Sequence, residues 1–221
     1  MRPDDYSAPS MMSRMTSLHE ERLAYVHRCI KATGARRVID LGCGSGVLVH
    51  RLVQDEQFEE VVGLEMSGQA LLEAREILAE QLADPDTGLR LIQGSYAEPQ
   101  PSLAGFEAAA MVETIEHVEP KMLSRVESVV FGQMRPDRMF LTTPNREYNP
   151  LYDLAPGQFR ESDHKFEWDR AKFRQWASGV AERNGYRVHF SGIGEQHPEL
   201  GPPSQMATFE RVAAVAEPEA G

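Results

Sequence analysis

Three glycines at alternate positions, in Asp40-Leu41-Gly42-Cys43-Gly44-Ser45-Gly46, end the apolar run Val38-Ile39-Asp40-Leu41 and open onto a helical pattern over 46–53. A strand that stops in glycines and turns at once into a helix lets the backbone approach a ligand and points a helix N-terminus at it. The same alternation continues along the chain. A second apolar run at 60–65 is followed by Ser67 as a helix cap and by Ala70, Leu71, Ala74, Ile77, Leu78 and Leu82 at helical spacing. Residues 89–93, 106–112 and 139–143 supply further strands. These runs are apolar without alternation, as strands covered on both faces must be, and strand-helix alternation implies right-handed crossovers in a parallel sheet. A helix over 169–183, a strand over 186–191 and a last strand over 205–209 close the chain, the final pair as an antiparallel hairpin. The expected fold is doubly wound α/β, with a mostly parallel seven-stranded sheet and one antiparallel strand.

The chain of 221 residues, 41% hydrophobic and 26% charged, is the size and composition of one globular domain. The polar, methionine-rich stretch 1–17 reads as a flexible arm, 18–213 as the domain and 214–221 as a tail. Residues 144–168, dense in Pro, Asn, Arg and aromatics, are too long for an ordinary connection and read as a functional insertion. A net charge of −11 excludes a uniform positive field for gripping long nucleic acid, so any RNA contact is local. Two cysteines, Cys29 and Cys43, with no apolar leader or membrane-length run, point to the cytoplasm and to no membrane.

The spacing G-x-G-x-G places Val47 where a dinucleotide fingerprint needs its third glycine, which disfavours a pyrophosphate cradle. The motif resembles the S-adenosylmethionine (SAM) loop of class I methyltransferases. That resemblance implies that Gly42, Gly44 and Gly46 pass beneath the amino-acid part of the cofactor and that Asp40 orients its ammonium group. Glu65 ends the second strand, where a carboxylate accepts hydrogen bonds from both ribose hydroxyls of an adenosine. Ser67 stands beside it and joins the same binding set, and Ser95 and Tyr96, ending the third strand, are placed at the adenine. Cys43 is read as a small filler.

After the fourth strand the chain reads Met111-Val112-Glu113-Thr114-Ile115-Glu116-His117. A helical turn beginning here would set Glu113, Glu116 and His117 on one face. Ligands bind beyond the carboxyl ends of the strands in this class of fold, so three potential metal ligands would stand where an acceptor must sit. A fourth is expected from Asp163-His164-Lys165-Phe166-Glu167-Trp168, with His164 the choice. Two carboxylates and two imidazoles suit Mn²⁺, Mg²⁺, Fe²⁺ or Co²⁺, and the imidazoles favour Mn²⁺ over Mg²⁺.

Together, the glycine loop, Val112-Glu113-Thr114-Ile115-Glu116-His117, Thr142-Thr143-Pro144-Asn145, His164-Lys165-Phe166-Glu167-Trp168 and Gly201-Pro202-Pro203-Ser204-Gln205-Met206 resemble the small-RNA 3′-terminal 2′-O-methyltransferases, in their bacterial branch. The resemblance implies methyl transfer from SAM to the 2′-hydroxyl of the last ribose at the 3′ end of an RNA. It also implies Glu113, Glu116, His117 and His164 as metal ligands, and a polynucleotide kinase-phosphatase as an RNA-repair partner. A bound ion would lower the pKa of the hydroxyl, and His117, or a carboxylate beside it such as Glu116, would take the proton. Arg146, Arg160, Lys165, Arg170 and Arg174 are the expected phosphate contacts. Two rival readings share the loop and fold. One is a metal-dependent small-molecule O-methyltransferase acting on a vicinal diol, the other a non-catalytic methyltransferase-like adaptor.

Overall fold

A computed structural model describes residues 11–155 and 157–212. The element order is α1 (Met11–Ala32), β1 (Arg37–Leu41), α2 (Val47–Val53), β2 (Glu60–Glu65), α3 (Gly68–Ile77), α4 (Ala79–Ala83), β3 (Leu89–Gln93), β4 (Ala108–Val112), α5 (Leu123–Glu127), β5 (Arg138–Pro144), α6 (Arg170–Asn184), β6 (Tyr186–Ile193) and β7 (Ser204–Arg211). The strands form one seven-stranded sheet in the order β3-β2-β1-β4-β5-β7-β6. β1 to β5 pair in parallel, while β7 runs antiparallel to both β5 and β6, so the single reversed strand is β7.

β1 and β4 consist of almost wholly buried residues because the sheet is covered on both faces. One core layer gathers Leu41, Leu64, Phe131, Phe173 and Phe209, and the other Val26, Ile30, Val49, Phe58 and Phe140. Local signals fix the helix ends. The Ser67 hydroxyl accepts from the Ala70 amide to start α3, and Asp169 accepts from the Lys172 amide to start α6, which stops at Gly185 with φ of 74°. α5 runs on into a π-helical segment, Ser128–Met134, that buries Phe131 against the Tyr186 and Phe209 rings.

Strand order reverses between β1 and β4, and the crevice at the carboxyl ends of these two strands receives the loops that follow them. The expected arm is shorter than its sequence suggests. α1 begins at Met11, not near residue 18, and its later turns pack on α2, β4 and β6. The rest of that arm and the 214–221 tail lie outside the described residues. Among the described residues no helix is long and apolar enough to cross a membrane.

Phe131 is fully buried where α5, β6 and β7 meet. Phe131→Ala should cost about 3–5 kcal/mol, seen as a lower urea midpoint with an unchanged denaturant slope.

Candidate active site

The glycine loop is shaped by contact with its neighbour. Gly42 has φ of 83°, and a Cβ there would stand 2.7 Å from Cγ2 of Thr114, so the loop after β1 rests directly on the loop after β4. A Cβ on Gly44 would project into open space. Glu65 ties the loop to the end of β2, its Oε2 accepting from the Gly44 amide at 2.9 Å and its Oε1 from the Ser67 amide at 2.7 Å.

A cavity of about 480 Å³ opens here, lined by Gly42, Gly44, Glu65, Ser95, Tyr96 and, from the β4 side, Thr114, His117 and Met122. That volume lies within the roughly 300–1,000 Å³ of small-molecule sites. A smaller cavity of about 220 Å³ shares Gly42, Gly44, Glu113 and Thr114 with it and adds Asp40, together with His19 and Leu23 from α1. Asp40 is buried, and desolvation, reinforced by the charge of Glu65, pushes its carboxyl up to about 7. A buried carboxylate lining a cavity is suited to a cationic group, such as an ammonium.

Two residues expected in the binding set stand elsewhere. Gly46 packs against Ala74 and Leu78, where a Cβ would come within 3.1 Å of each, so it serves helix packing. Ser67 acts through its backbone amide and its cap and does not line the cavity. Cys43 is a buried filler, its thiol pushed up by burial.

The segment after β4 is not the expected helical turn. Glu113 takes a left-handed φ of 53° and leaves the helical path, and Ile115–His117 form a single tight 3-10 turn. The register of an α-helix therefore does not set the cluster. Instead, Glu116, His117 and His164 converge, with ligand atoms all within 4.8 Å of one another. Glu113 stands apart from this triad, because its Oε2 pairs with the Arg22 guanidinium of α1 at 3.0 Å. The His117 and His164 rings meet edge to face at 4.8 Å.

Surrounding groups fix these side chains. Glu116 is fully buried; its Oε2 accepts from the Thr143 hydroxyl at 2.9 Å, while Oε1 has no hydrogen-bond partner among the described residues. Burial, then the charge of Glu113, hold its carboxyl well above the ordinary range. Nδ1 of His164 meets Oε1 of Glu167 at 2.6 Å. Burial works against ionisation of Glu167, yet bonds from His164, Asn149 and the Arg160 amide hold its carboxyl below the ordinary value, so Nδ1 donates and Nε2 is left free. A carboxylate behind a histidine in this way fixes the tautomer a metal needs. His117 turns Nδ1 to Asp163 at 3.1 Å. The insertion is anchored to the cluster by the Lys165 amide, which donates to the Glu116 carbonyl at 2.7 Å.

Thr143, Glu167, Asp163, His19 and Arg22 are neighbours of the site to which sequence reasoning assigned no role; Thr143, Asp163 and Glu167 stand in segments it singled out, while His19 and Arg22 carry no local signal. Among the expected phosphate contacts, Arg160 is committed to the fold, donating to Asn149, to the Pro203 carbonyl and to the Asn145 carbonyl.

Fold, glycine loop and cavity define a class I SAM-dependent methyltransferase domain, and a methyltransferase-domain family model matches residues 32–143. The chain is similar to the small RNA 2′-O-methyltransferase of Xenopus tropicalis, at 35% identity over 203 residues, 88% of this chain and 55% of that protein. It thus spans about half the length of the curated relatives it matches. The structure matches the methyltransferase domain of a bacterial Hen1, CtHen1-C, with a TM-score of 0.80 and 38% identity, covering 89% of this chain and 100% of that one. A chain of the Pnkp1/Rnl/Hen1 RNA repair complex shares the fold at 18% identity and a TM-score of 0.64, over 88% of this chain and 41% of that one. The chain belongs to the small RNA 2′-O-methyltransferase family.

The raised Asp40 carboxyl makes stability depend on pH. Between its ordinary 3.8 and about 7 the fold binds this proton more tightly than the unfolded chain does. Its contribution therefore falls as pH rises through that window. Relative to Asp40→Asn, the cofactor-free wild type should lose up to about 1.4 kcal/mol per pH unit there. Urea denaturation of both proteins at several pH values between 4 and 8 checks this; parallel pH profiles would contradict it.

Proposed function

We propose that this domain transfers the methyl group of SAM to the 2′-hydroxyl of the 3′-terminal nucleotide of an RNA, with a divalent ion at the acceptor site. The observation that carries the reading is the position of His117, which lines the cofactor cavity and also belongs to the Glu116–His117–His164 cluster. Methyl donor and cluster therefore share one cleft.

The residues fit a divalent ion. Among the described residues Glu116 Oε1 and Glu113 Oε1 are buried without hydrogen-bond partners, and the Glu167 bond takes up only Nδ1 of His164. Glu116, His117 and His164 would hold the ion, and Glu113 would offer a fourth donor through Oε1 while Oε2 stays on Arg22. This oxygen and nitrogen set suits Mn²⁺, with Mg²⁺ or Co²⁺ as substitutes. When bound, such an ion supplies Lewis acidity that lowers the pKa of a ribose hydroxyl.

The protein's own groups do the rest. Asp40 receives the ammonium of SAM, Glu65 its ribose hydroxyls, and Ser95 and Tyr96 border the adenine. Thr143 and Glu167 hold the two buried ligands in place. Asp163 would orient His117 through Nδ1, and its carboxylate, 66% exposed, would take the hydroxyl proton and pass it to solvent. A 3′-phosphate would set its charge against the buried carboxylates, so the cleft favours an RNA end with free hydroxyls. A polynucleotide kinase-phosphatase, as the RNA-repair partner, belongs to the same proposal.

Transfer of labelled methyl to a short single-stranded RNA tests the reading. Mn²⁺ should support it, whereas a chelator or a 3′-phosphate on the RNA should abolish it. Glu116→Ala and His164→Ala should each lower the rate more than about 100-fold, beyond the loss usual for groups behind the ligands. Both should bind SAM within a few-fold of wild type by calorimetry. Full activity in chelator, or lost SAM binding in both variants, would contradict the assignment.

A further inference from the structure

A second cleft lies between α6 and the β6–β7 hairpin, and two of the expected phosphate contacts, Arg170 and Arg174, line it. Resting on the RNA reading, we propose that it receives the nucleotide preceding the terminal one, the ribose hydroxyl at Gln205 and the 5′-phosphate at Arg174.

The cleft has a volume of about 190 Å³, and Arg170, Arg174, Phe190, Gln196, Gln205 and Met206 are among its lining residues. It is smaller than the roughly 300–1,000 Å³ of sites that enclose a whole small molecule, which suits one unit of a polymer. No acidic side chain lines it, although the chain carries a net charge of −11.

Gln205 supplies the specific signal. Its side chain is 4% exposed, and its Nε2 donates to the Pro144 carbonyl at 3.0 Å and the Trp168 carbonyl at 2.9 Å. Two carbonyls on one side of the amide fix which end is nitrogen, because an oxygen there would face both acceptors. Oε1 is left buried with no hydrogen-bond partner among the described residues. It is an acceptor that calls for a donor, and a ribose 2′-hydroxyl is one.

The cation stands at the rim. The Arg174 guanidinium is exposed, lies 5.4 Å from the centre of the Phe190 ring and pairs with no carboxylate among the described residues. Arg170, by contrast, is held by Glu147 at 2.6 Å and by the Glu199 carbonyl at 2.8 Å, and acts as a wall. A guanidinium steadied on an aromatic face beside a buried acceptor matches the anionic and hydroxylic groups of a ribonucleotide.

Position sets the order along the RNA. Gln205 pairs in register with Thr143, whose hydroxyl bonds Glu116. Residues in register on adjacent strands face the same side about 4.8 Å apart, so the cleft begins one strand from the acceptor cluster. The next nucleotide of an RNA whose end sits at Glu116 falls there.

Anisotropy of a labelled short RNA, with Mn²⁺ and free terminal hydroxyls, tests the assignment by a cycle. Against wild type, replacing the linkage 5′ of the penultimate nucleotide with a neutral methylphosphonate should weaken binding about tenfold. Arg174→Gln should weaken intact RNA by a similar factor and lose nothing further with the neutral linkage. A 2′-deoxy penultimate ribose should weaken both proteins several-fold, without touching the buried Gln205 itself, whereas 2′-deoxy one nucleotide further upstream should not. Losses that multiply, or unchanged binding of the penultimate 2′-deoxy RNA, would overturn the inference. Methyl transfer scored on the same RNAs separates the two claims. Non-additive losses without transfer would refute the catalytic reading alone, and transfer with multiplying losses would refute the cleft alone.

Discussion

A carboxylate buried without a cation is the constraint around which this cleft is built. Glu116 is fully enclosed, one oxygen held by the Thr143 hydroxyl and the other unmatched, with Glu113 adding negative charge nearby. Such a group costs stability unless a positive charge or a proton answers it. Imidazoles and hydrogen bonds surround it, and the cation that bears on it, Arg22, is already paired with Glu113. The insertion folds down onto this point through Lys165 and brings His164 with it. Behind His164, Glu167, Asn149 and Arg160 form a bonded layer that ties the imidazole to the end of β5.

The cofactor side follows the same logic at smaller scale. Asp40 is a second buried carboxyl, raised by desolvation and by the charge of Glu65. Glu65 is different, since two backbone amides already satisfy it. The two carboxyls of the cofactor cleft therefore differ, Asp40 raised by its burial and Glu65 setting the glycine loop. Contact between Gly42 and Thr114 joins the two halves, because it seats the cofactor loop on the segment that carries Glu116 and His117.

Much of this was legible in the sequence, for physical reasons. Continuous apolar runs such as 108–112 can only be strands covered on both sides, and the Ser67 and Asp169 caps act over a few residues. The glycine spacing reads as a loop because its φ values demand it. What depended on distant contacts was not legible. Periodicity suggested a helical turn through Glu113, but the close seat of Thr114 on Gly42 and the left-handed Glu113 give a 3-10 turn instead. Arg22 reaches Glu113, and Thr143 reaches Glu116, across separations that no local pattern records. Arg160 looked like a phosphate contact because its burial is invisible in composition. Gln205 stands in the Gly201–Met206 motif, but nothing local marks its buried amide oxygen.

The central claim, that the Glu116 cluster is completed by a divalent ion, is tested most directly by titrating Mn²⁺ into the SAM-free protein calorimetrically in buffers of different ionisation enthalpy. Burial and Glu113 favour the protonated form of Glu116 in the ion-free fold, and a ligand must give up its proton to bind. One Mn²⁺ per chain, with a buffer-dependent heat that reports proton release and vanishes in Glu116→Gln, is the predicted result. Absence of binding, or binding that survives Glu116→Gln unchanged, would contradict it.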